Sequence, residues 1–224
     1  VDEDTTHVKG VHLIPADMIA GQIRSFLGDV GADCIKTGML YSKNIIRLVA
    51  GILDEYSSIP VVVDPVMVTS SGDKLLEEDA VQAYKDYLFP RTSILTPNKK
   101  EAEWLCGKEL NEGNIEECLK DLSRWGNSVI IKSVENRDFF IDYYYNPVEK
   151  VMKVYKKEGI RTRNVNGTGD SFASAVATFL SKGYGIEFAV PEAERFIQQS
   201  IELGARFKFG RGFGPVYPYY EVQE

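Results

Sequence analysis

The strongest constraint on the fold of this chain is a run of three valines, Val61–Val63, bounded by Pro60 and Asp64. Consecutive β-branched residues favour a strand, and a strand without polar alternation is typical of a parallel sheet that is covered on both faces. Residues 43–56, just before this run, carry isoleucine, leucine and valine at the spacing of one helix face. The pattern therefore predicts a helix followed by a buried parallel strand.

The same alternation of helix and strand patterns continues along the chain. Strands are predicted at residues 32–36, 60–64, 92–95 and 128–132, and helices at 43–56, 75–88, 99–106 and 115–124. Repeated units of this kind require right-handed crossovers and place helices on both faces of the sheet. We therefore expect an α/β fold with three layers, α/β/α, around a mostly parallel central sheet.

Residues 139–145 and 151–155 depart from this alternation and predict an antiparallel hairpin that turns at Asn146 and Pro147. The first arm contains a run of aromatic residues. We interpret this run as sheet packing in preference to a ligand-binding box.

Composition limits the classes of function. The 224 residues, 44% of them hydrophobic, can bury one good core, so a single domain over residues 1–224 is the simplest organisation. A net charge of -7 without a basic stripe argues against a nucleic-acid partner. No apolar run approaches the roughly 20 residues that span a bilayer, so no membrane partner is expected. Three cysteines without CxxC spacing favour a reducing compartment, and we expect a cytoplasmic protein.

Polar residues follow four of the predicted strands. Lys36, Asp64, Asn98 and Lys132 each lie at or just beyond the end of a strand pattern. Ligands of open α/β sheets bind beyond the carboxyl ends of the strands. The sequence thus predicts that these side chains meet at one ligand-binding mouth.

Gly167, Thr168, Gly169 and Asp170 precede a run of small and apolar residues that predicts a helix. Backbone amides at a helix N-terminus bind phosphate, so this segment is a candidate phosphate cradle. A carboxylate beside a phosphate needs a function, and Asp170 is a candidate to accept a proton from a hydroxyl that attacks a phosphoryl group. The alternative is that Asp170 caps the helix.

Asn98 and Glu101 have the spacing of a helix capping box. Glu101 is also a candidate to hold Mg²⁺ beside a phosphate, and both roles can hold together. Asp64, which follows a very apolar strand, is a second candidate near metal or phosphate. Lys132 is a candidate cation for nucleotide phosphates, with a solvated strand end as the alternative.

Several motifs, taken in chain order, carry a family resemblance. They are Lys36-Thr37-Gly38-Met39-Leu40, Val63-Asp64-Pro65-Val66-Met67, Ser71-Gly72-Asp73-Lys74-Leu75-Leu76, Leu95-Thr96-Pro97-Asn98 with Glu101, Gly167-Thr168-Gly169 and Gly210-Arg211-Gly212-Phe213-Gly214-Pro215-Val216. Together they resemble the hydroxymethylpyrimidine/phosphomethylpyrimidine kinases of thiamine biosynthesis, members of the ribokinase-like superfamily. The resemblance runs from residue 1 to about residue 218.

The resemblance implies a ribokinase-like fold and phosphorylation of the hydroxymethyl group of 4-amino-5-hydroxymethyl-2-methylpyrimidine. ATP and Mg²⁺ are the implied cofactors, and a homodimer is the expected assembly. It places Met39 and Val66 against the substrate ring, with Glu3 hydrogen-bonded to the aminopyrimidine. It also places Lys208 and Gly210 near the ATP, together with Asn98 and Lys132.

The chain departs from the family pattern in three places. The N-terminal strand and glycine-rich segment of the family do not precede Val1, and we expect that they are missing from this chain. Asp170 stands where the pyrimidine kinases have cysteine, in the form seen in sugar and pyridoxal kinases. Ser133 follows Lys132 where the family tends to have glycine. These departures leave open a pyridoxal or pyridoxine kinase, and a non-catalytic kinase-like binding domain. One or two successive phosphorylations are also left open.

Overall fold

The computed structural model describes residues 1–68, 76, 79–136 and 139–219. In chain order the elements are β1 (Asp2–Glu3), β2 (Val8–Gly10), α1 (Ala16–Asp29), β3 (Ile35–Thr37), α2 (Lys43–Glu55), β4 (Val61–Val63), α3 (Ala80–Ala83), β5 (Ile94–Leu95), α4 (Lys99–Cys106), α5 (Ile115–Leu122), β6 (Ser128–Asn136), β7 (Phe139–Asn146), β8 (Val151–Glu158), β9 (Asn164–Asn166), α6 (Thr168–Ser181), α7 (Ile186–Gly204) and β10 (Gly214–Pro215).

Six strands form the central sheet in the order β3-β4-β5-β6-β7-β8. The first four are parallel, and β7 and β8 continue the sheet as an antiparallel hairpin. The predicted α/β architecture and the predicted hairpin are both confirmed. Because β3 to β6 all run in the same direction, their carboxyl ends open on one edge, which is where the polar side chains were expected to meet.

The valine run shows how the two faces of the sheet are covered. Val61 and Val63 pack in a cluster with residues of α2, α3, α4 and α5, whereas Val62 packs in a separate cluster with residues of α6 and α7. This division follows from the alternation of side chains along a strand. Val61–Val63 is buried on both faces, as the absence of polar alternation predicted.

Most helices begin and end where the sequence pattern placed them. α2 begins after Ser42, whose hydroxyl accepts a hydrogen bond from the amide of Ile45, and α4 spans the predicted residues. Residues 75–88 differ, since the structure places the α-helix at Ala80–Ala83 and continues it as a wider π-helical turn, Tyr84–Leu88. The motif at residues 71–76 lies outside the described residues apart from Leu76.

Helices α1 and α7 were not predicted. The longer, α7, includes Pro191 and carries four glutamates and one arginine. In the parts of the chain that the structure describes, no helix combines the length and apolar character needed to cross a membrane.

Two of the three cysteines are joined. Cys106 at the end of α4 and Cys118 in α5 form a disulfide, with the two Cα atoms 6.0 Å apart. This pair does not fit the reducing compartment that the cysteine pattern favoured. The sequence carries no CxxC spacing to indicate the pairing, which arises because α4 and α5 pack against each other. Cys34 is free.

Candidate active site

The N-terminus of α6 has the form of an anion-binding site. Gly167 is the N-cap residue with a φ of 81°, and the helix begins at Thr168. No side chain of the described residues accepts a cap hydrogen bond at this end. Asp170 lies in the first turn and does not cap the helix, so the capping alternative for Asp170 was wrong. The first-turn amides are left without a side-chain acceptor, which is the condition for binding a phosphate oxygen.

Asp170 is paired with Lys36, the middle residue of β3. The Asp170 side chain is mostly exposed, while that of Lys36 is largely buried. A Cβ added to Gly38 would lie 3.2 Å from the Lys36 ammonium, so the chain after β3 passes close to this pair. The sequence predicted that Lys36 lies at the ligand-binding edge, at the end of a strand pattern, but it indicated neither the partner nor the role of this lysine.

Lys132 and Asp64 form a buried ion pair in the centre of the site. The Lys132 Nζ lies 3.2 Å from the Asp64 Oδ1, and the two residues are 5% and 3% exposed. The hydroxyl of Thr96 donates to the same Asp64 oxygen at 3.3 Å. The alternative that Lys132 is a solvated strand end was wrong. A lysine is buried with its charge only where an opposite charge pairs with it, and here Asp64 is that partner.

The α6 N-terminus meets this ion pair at Gly169. A Cβ placed on Gly169 would lie 3.2 Å from the Lys132 Nζ and 3.9 Å from the Asp64 Oδ2. That first contact is tighter than an ordinary van der Waals contact, so glycine lets the helix approach the ammonium. The phosphate cradle and the Lys132 charge therefore share one small space at the carboxyl edge of the sheet.

Glu101 forms the predicted capping box with Asn98. The Glu101 Oε2 accepts the Asn98 amide at 2.8 Å, and the Asn98 Oδ1 accepts the Glu101 amide at 2.9 Å. The second oxygen, Oε1, accepts the amide of Met67 at 3.3 Å. Burial and the negative charge of Asp64 raise the pKa of Glu101 to about 7. Two carboxyl groups thus lie close together in a site with little solvent.

These two carboxyl groups were assigned to Mg²⁺. The described residues contain no cluster of three or more metal-ligating side chains. Mg²⁺ is usually bound through one or two carboxylates, with water and substrate phosphates completing its coordination. The repulsion between Asp64 and Glu101, which raises the pKa of Glu101, is a feature that a bound cation would relieve. The residues present fit such an ion.

The residues assigned to the substrate ring flank the carboxyl edge or lie in the first hairpin. Val66 is half-buried and donates its amide to the carbonyl of Asp64 at 2.9 Å. Met39 is half-buried after Gly38. Glu3 is exposed in β1 and pairs with Val8 of β2. Val66 and Met39 thus lie just after β4 and β3, in the loops that follow Asp64 and Lys36.

The segment that contains Lys208 and Gly210, which the family resemblance places near the ATP, contacts Thr5. The amides of Arg211 and Gly212 both donate to the Thr5 hydroxyl at 3.1 Å. A Cβ on Gly212 would overlap the Thr5 carbonyl oxygen, and one on Gly210 would overlap the Thr5 hydroxyl. Both positions therefore require glycine. Lys208, in the same segment, is exposed.

The same segment is tied to the phosphate cradle. The Asn166 side-chain amide donates to the Phe213 carbonyl at 2.8 Å, and the Val216 amide donates to the Asn166 carbonyl at 3.0 Å. Asn166 directly precedes Gly167. The first hairpin, the C-terminal glycine motif and the cradle are therefore connected through hydrogen bonds that sequence reasoning did not predict.

The chain matches known proteins over nearly its whole length. The family described as phosphomethylpyrimidine kinase matches residues 1–217. The chain is 35% identical over 221 residues to the thiamine biosynthesis bifunctional protein ThiED of Geobacter sulfurreducens, covering 96% of this chain and 44% of that protein. It is 32% identical over 225 residues to a hydroxymethylpyrimidine/phosphomethylpyrimidine kinase of Mycobacterium tuberculosis, covering 98% and 80% of the two chains.

Among solved structures, the chain resembles the pyridoxal kinase from Staphylococcus aureus in complex with AMP-PCP and pyridoxal. The TM-score is 0.84 at 29% identity, and the match covers 96% of this chain and 78% of that one. This likeness agrees with the ribokinase-like, three-layer fold. The match over residues 1–217 and the sequence identities show that the chain belongs to the phosphomethylpyrimidine kinase family.

Proposed function

We propose that this protein transfers the γ-phosphoryl group of ATP to the hydroxymethyl group of 4-amino-5-hydroxymethyl-2-methylpyrimidine. The observation that carries the proposal is the meeting of the α6 N-terminus with the buried Lys132 at Gly169, beside the exposed carboxylate of Asp170. This arrangement combines an anion site with a base at its rim. The kinase activity for which the family is named and the AMP-PCP complex of the S. aureus kinase support a nucleotide-dependent phosphoryl transfer.

In this mechanism the protein acts mainly by positioning and by electrostatic stabilisation. The amides of Gly167, Thr168 and Gly169 donate to phosphoryl oxygens as negative charge redistributes, a contribution of roughly 3–4 kcal/mol per well-placed donor in other enzymes. Lys132 supplies a positive charge that is already desolvated. Asp170, oriented by Lys36, accepts the proton of the substrate hydroxyl as its oxygen attacks phosphorus.

Glu101 and Asp64 would hold Mg²⁺, and Asn98, Lys208 and Gly210 are proposed to contact the ATP. When bound, Mg²⁺ neutralises part of the phosphate charge. The capping box fixes the direction of the Glu101 side chain, so the structural and metal roles of Glu101 are compatible. This part of the proposal rests on the proximity of the two carboxyl groups and on the family resemblance.

The substrate is proposed to contact Met39 and Val66 through its ring and Glu3 through its polar edge. Pyridoxal is the second candidate, because a pyridoxal kinase is a close structural relative and Asp170 has the form found in such kinases. An ATPase-coupled assay with hydroxymethylpyrimidine and pyridoxal, compared at equal concentrations, distinguishes them. Turnover with neither substrate would favour the non-catalytic binding domain. A single domain, a homodimer and a cytoplasmic location stay predictions.

The base assignment is tested with Asp170→Asn. This change keeps the shape of the side chain and removes its basicity, so we expect kcat to fall by about 10²–10⁴ while ATP binding is retained. Asp17→Asn, which changes an exposed acid in the first turn of α1, is the matched control and should leave kcat unchanged. Near-normal turnover of Asp170→Asn would reject Asp170 as the base.

A further inference from the structure

A second buried charged cluster lies outside the candidate site, between the β7–β8 hairpin and α7. The Lys157 Nζ lies 2.7 Å from a carboxylate oxygen of Asp142 and 2.7 Å from one of Glu194. Asp142 is 1% exposed and Glu194 is 7% exposed. We refer to these three residues as the Asp142 cluster. Burying charged groups is unfavourable unless each charge is paired and hydrogen-bonded. A protein with apolar residues of similar volume in place of such a cluster is often just as stable.

The Asp142 cluster contacts an irregularity in β6. The second oxygen of Asp142, Oδ1, accepts the backbone amide of Ser133 at 2.8 Å. Ser133 has a φ of 59°, and the register of β6 against β7 shifts between Ile131 and Val134. A left-handed conformation costs a non-glycine residue roughly 1–2 kcal/mol, so it persists where the surroundings hold it.

This irregularity directly follows Lys132. On one side, the Lys132 amide donates to the Pro97 carbonyl at 2.9 Å. On the other side, the Ser133 amide is held by Asp142. The two contacts fix the two peptide groups on either side of the Lys132 Cα, from which the side chain extends toward Asp64 and Gly169. A change in the direction of the Lys132 side chain would move its ammonium group out of the narrow space beside Gly169.

We propose that Asp142 is a positioning residue for Lys132, acting through the Ser133 amide. Lys157 and Glu194 orient the Asp142 carboxylate and connect it to α7. This inference rests on the proposed function, because it assigns to Lys132 a role in phosphoryl transfer. It concerns a residue that lies outside the ligand-binding mouth and that the family motifs quoted above do not include.

The first test compares two changes at one position. Asp142→Asn keeps an oxygen that can accept the Ser133 amide, whereas Asp142→Leu removes it. We expect Asp142→Leu to lower kcat by about 10- to 100-fold, the effect of a small misplacement of a catalytic group, and Asp142→Asn to retain most of the turnover. Equal turnover in the two variants would overturn the proposal.

Tyr144, which lies in β7 as Asp142 does, provides a matched control. The Tyr144 hydroxyl donates to Glu187 at 2.5 Å, so it also joins the hairpin to α7, but it does not contact Ser133. Tyr144→Phe should lower the melting temperature with little change in kcat. If Tyr144→Phe and Asp142→Leu reduce kcat equally, the Asp142 cluster has a structural role alone, and the proposal fails.

The second test is a double-mutant cycle with Lys132→Met. If Asp142 acts through Lys132, Asp142→Leu has no further effect on kcat once Lys132 is replaced. If Asp142→Leu and Lys132→Met instead lower kcat by factors that multiply, the proposal is overturned. The kcat values of the wild type and of Lys132→Met test the proposed function separately from the positioning role of Asp142. An inactive wild type, or an unaffected Lys132→Met, refutes the proposed function or its use of Lys132, and the positioning role falls with it.

A rescue experiment covers the case in which Asp142→Leu folds poorly. Asp142→Ser removes the same contact with a smaller change in polarity. Adding Ser133→Gly, which adopts a positive φ without strain, should recover part of the lost kcat. Recovery of stability without any recovery of kcat would contradict the proposal.

Discussion

Replacing Lys132 by methionine tests the buried ion pair most directly. The methionine side chain would fill a similar volume, but it would leave the Asp64 carboxylate buried with the Thr96 hydroxyl, at 3.3 Å, and no opposite charge from position 132. The neighbouring Glu101 would add to the unfavourable charge, since Asp64 and Glu101 already repel each other in the intact protein.

The size of the effect can be bounded. Breaking a buried ion pair by removing one partner lowers the free energy of unfolding by about 3–5 kcal/mol. The Thr96 hydroxyl still donates to the Asp64 carboxylate in the variant, so we expect a loss in the lower part of this range, about 3–4 kcal/mol. For a chain of this size the melting temperature should fall by roughly 6–16 °C.

The assay is thermal and urea unfolding at pH 7, with EDTA and without nucleotide, so that ligand binding does not contribute. Lys120→Met removes an exposed ion pair with Glu116 on α5 and is the matched control. Its melting temperature should change little. The double variant Asp64→Asn/Lys132→Met should recover much of the loss, because the Asp64 charge is then no longer buried without its partner. A melting temperature for Lys132→Met equal to that of the control would refute the reasoning.

Three further predictions concern other parts of the chain. Gly169→Ala places a methyl group 3.2 Å from the Lys132 Nζ, so kcat should fall at least about tenfold while circular dichroism stays native. Gly51→Ala meets nothing within 4 Å inside α2 and should raise the free energy of unfolding by about 0.5–1 kcal/mol in urea titrations; a destabilised variant would contradict the described packing. Burial and Asp142 raise the pKa of Glu194 to about 8, so the folded state retains a proton that the unfolded state has released, and stability falls as pH rises from about 4.5 to 8. Glu194→Gln should flatten this part of the stability profile, and an unchanged slope would argue against the raised pKa.

Local sequence patterns were sufficient for the elements that depend on neighbouring residues. The Asn98 and Glu101 spacing predicted both the capping box and the start of α4, because a cap involves groups within one turn. The pattern at residues 43–56 predicted α2 because its apolar residues fall on one face of a helix. The pattern at residues 75–88 was less informative, because apolar periodicity over about one turn does not distinguish α-helical from π-helical hydrogen bonding.

Other features depend on contacts that no local pattern encodes. α1 and the β1–β2 hairpin are mostly exposed, so apolar periodicity gave little indication of them. The disulfide depends on how α4 and α5 pack. The attachment of Gly210 and Gly212 to Thr5 joins the two ends of the described chain, and glycine in a motif indicates a close approach without naming its partner.

The sequence by itself determined a parallel α/β sheet, and it predicted the edge at which ligands bind and a phosphate cradle at the start of α6. The alternation of strand and helix patterns and the glycines at 167 and 169 are sufficient for these conclusions. Only the tertiary structure decided that Lys36 holds Asp170, that Lys132 is buried against Asp64, and that Asp142 holds Ser133. The partners come from different strands and helices, and their pairing depends on strand order and register, which hydrophobic periodicity does not specify.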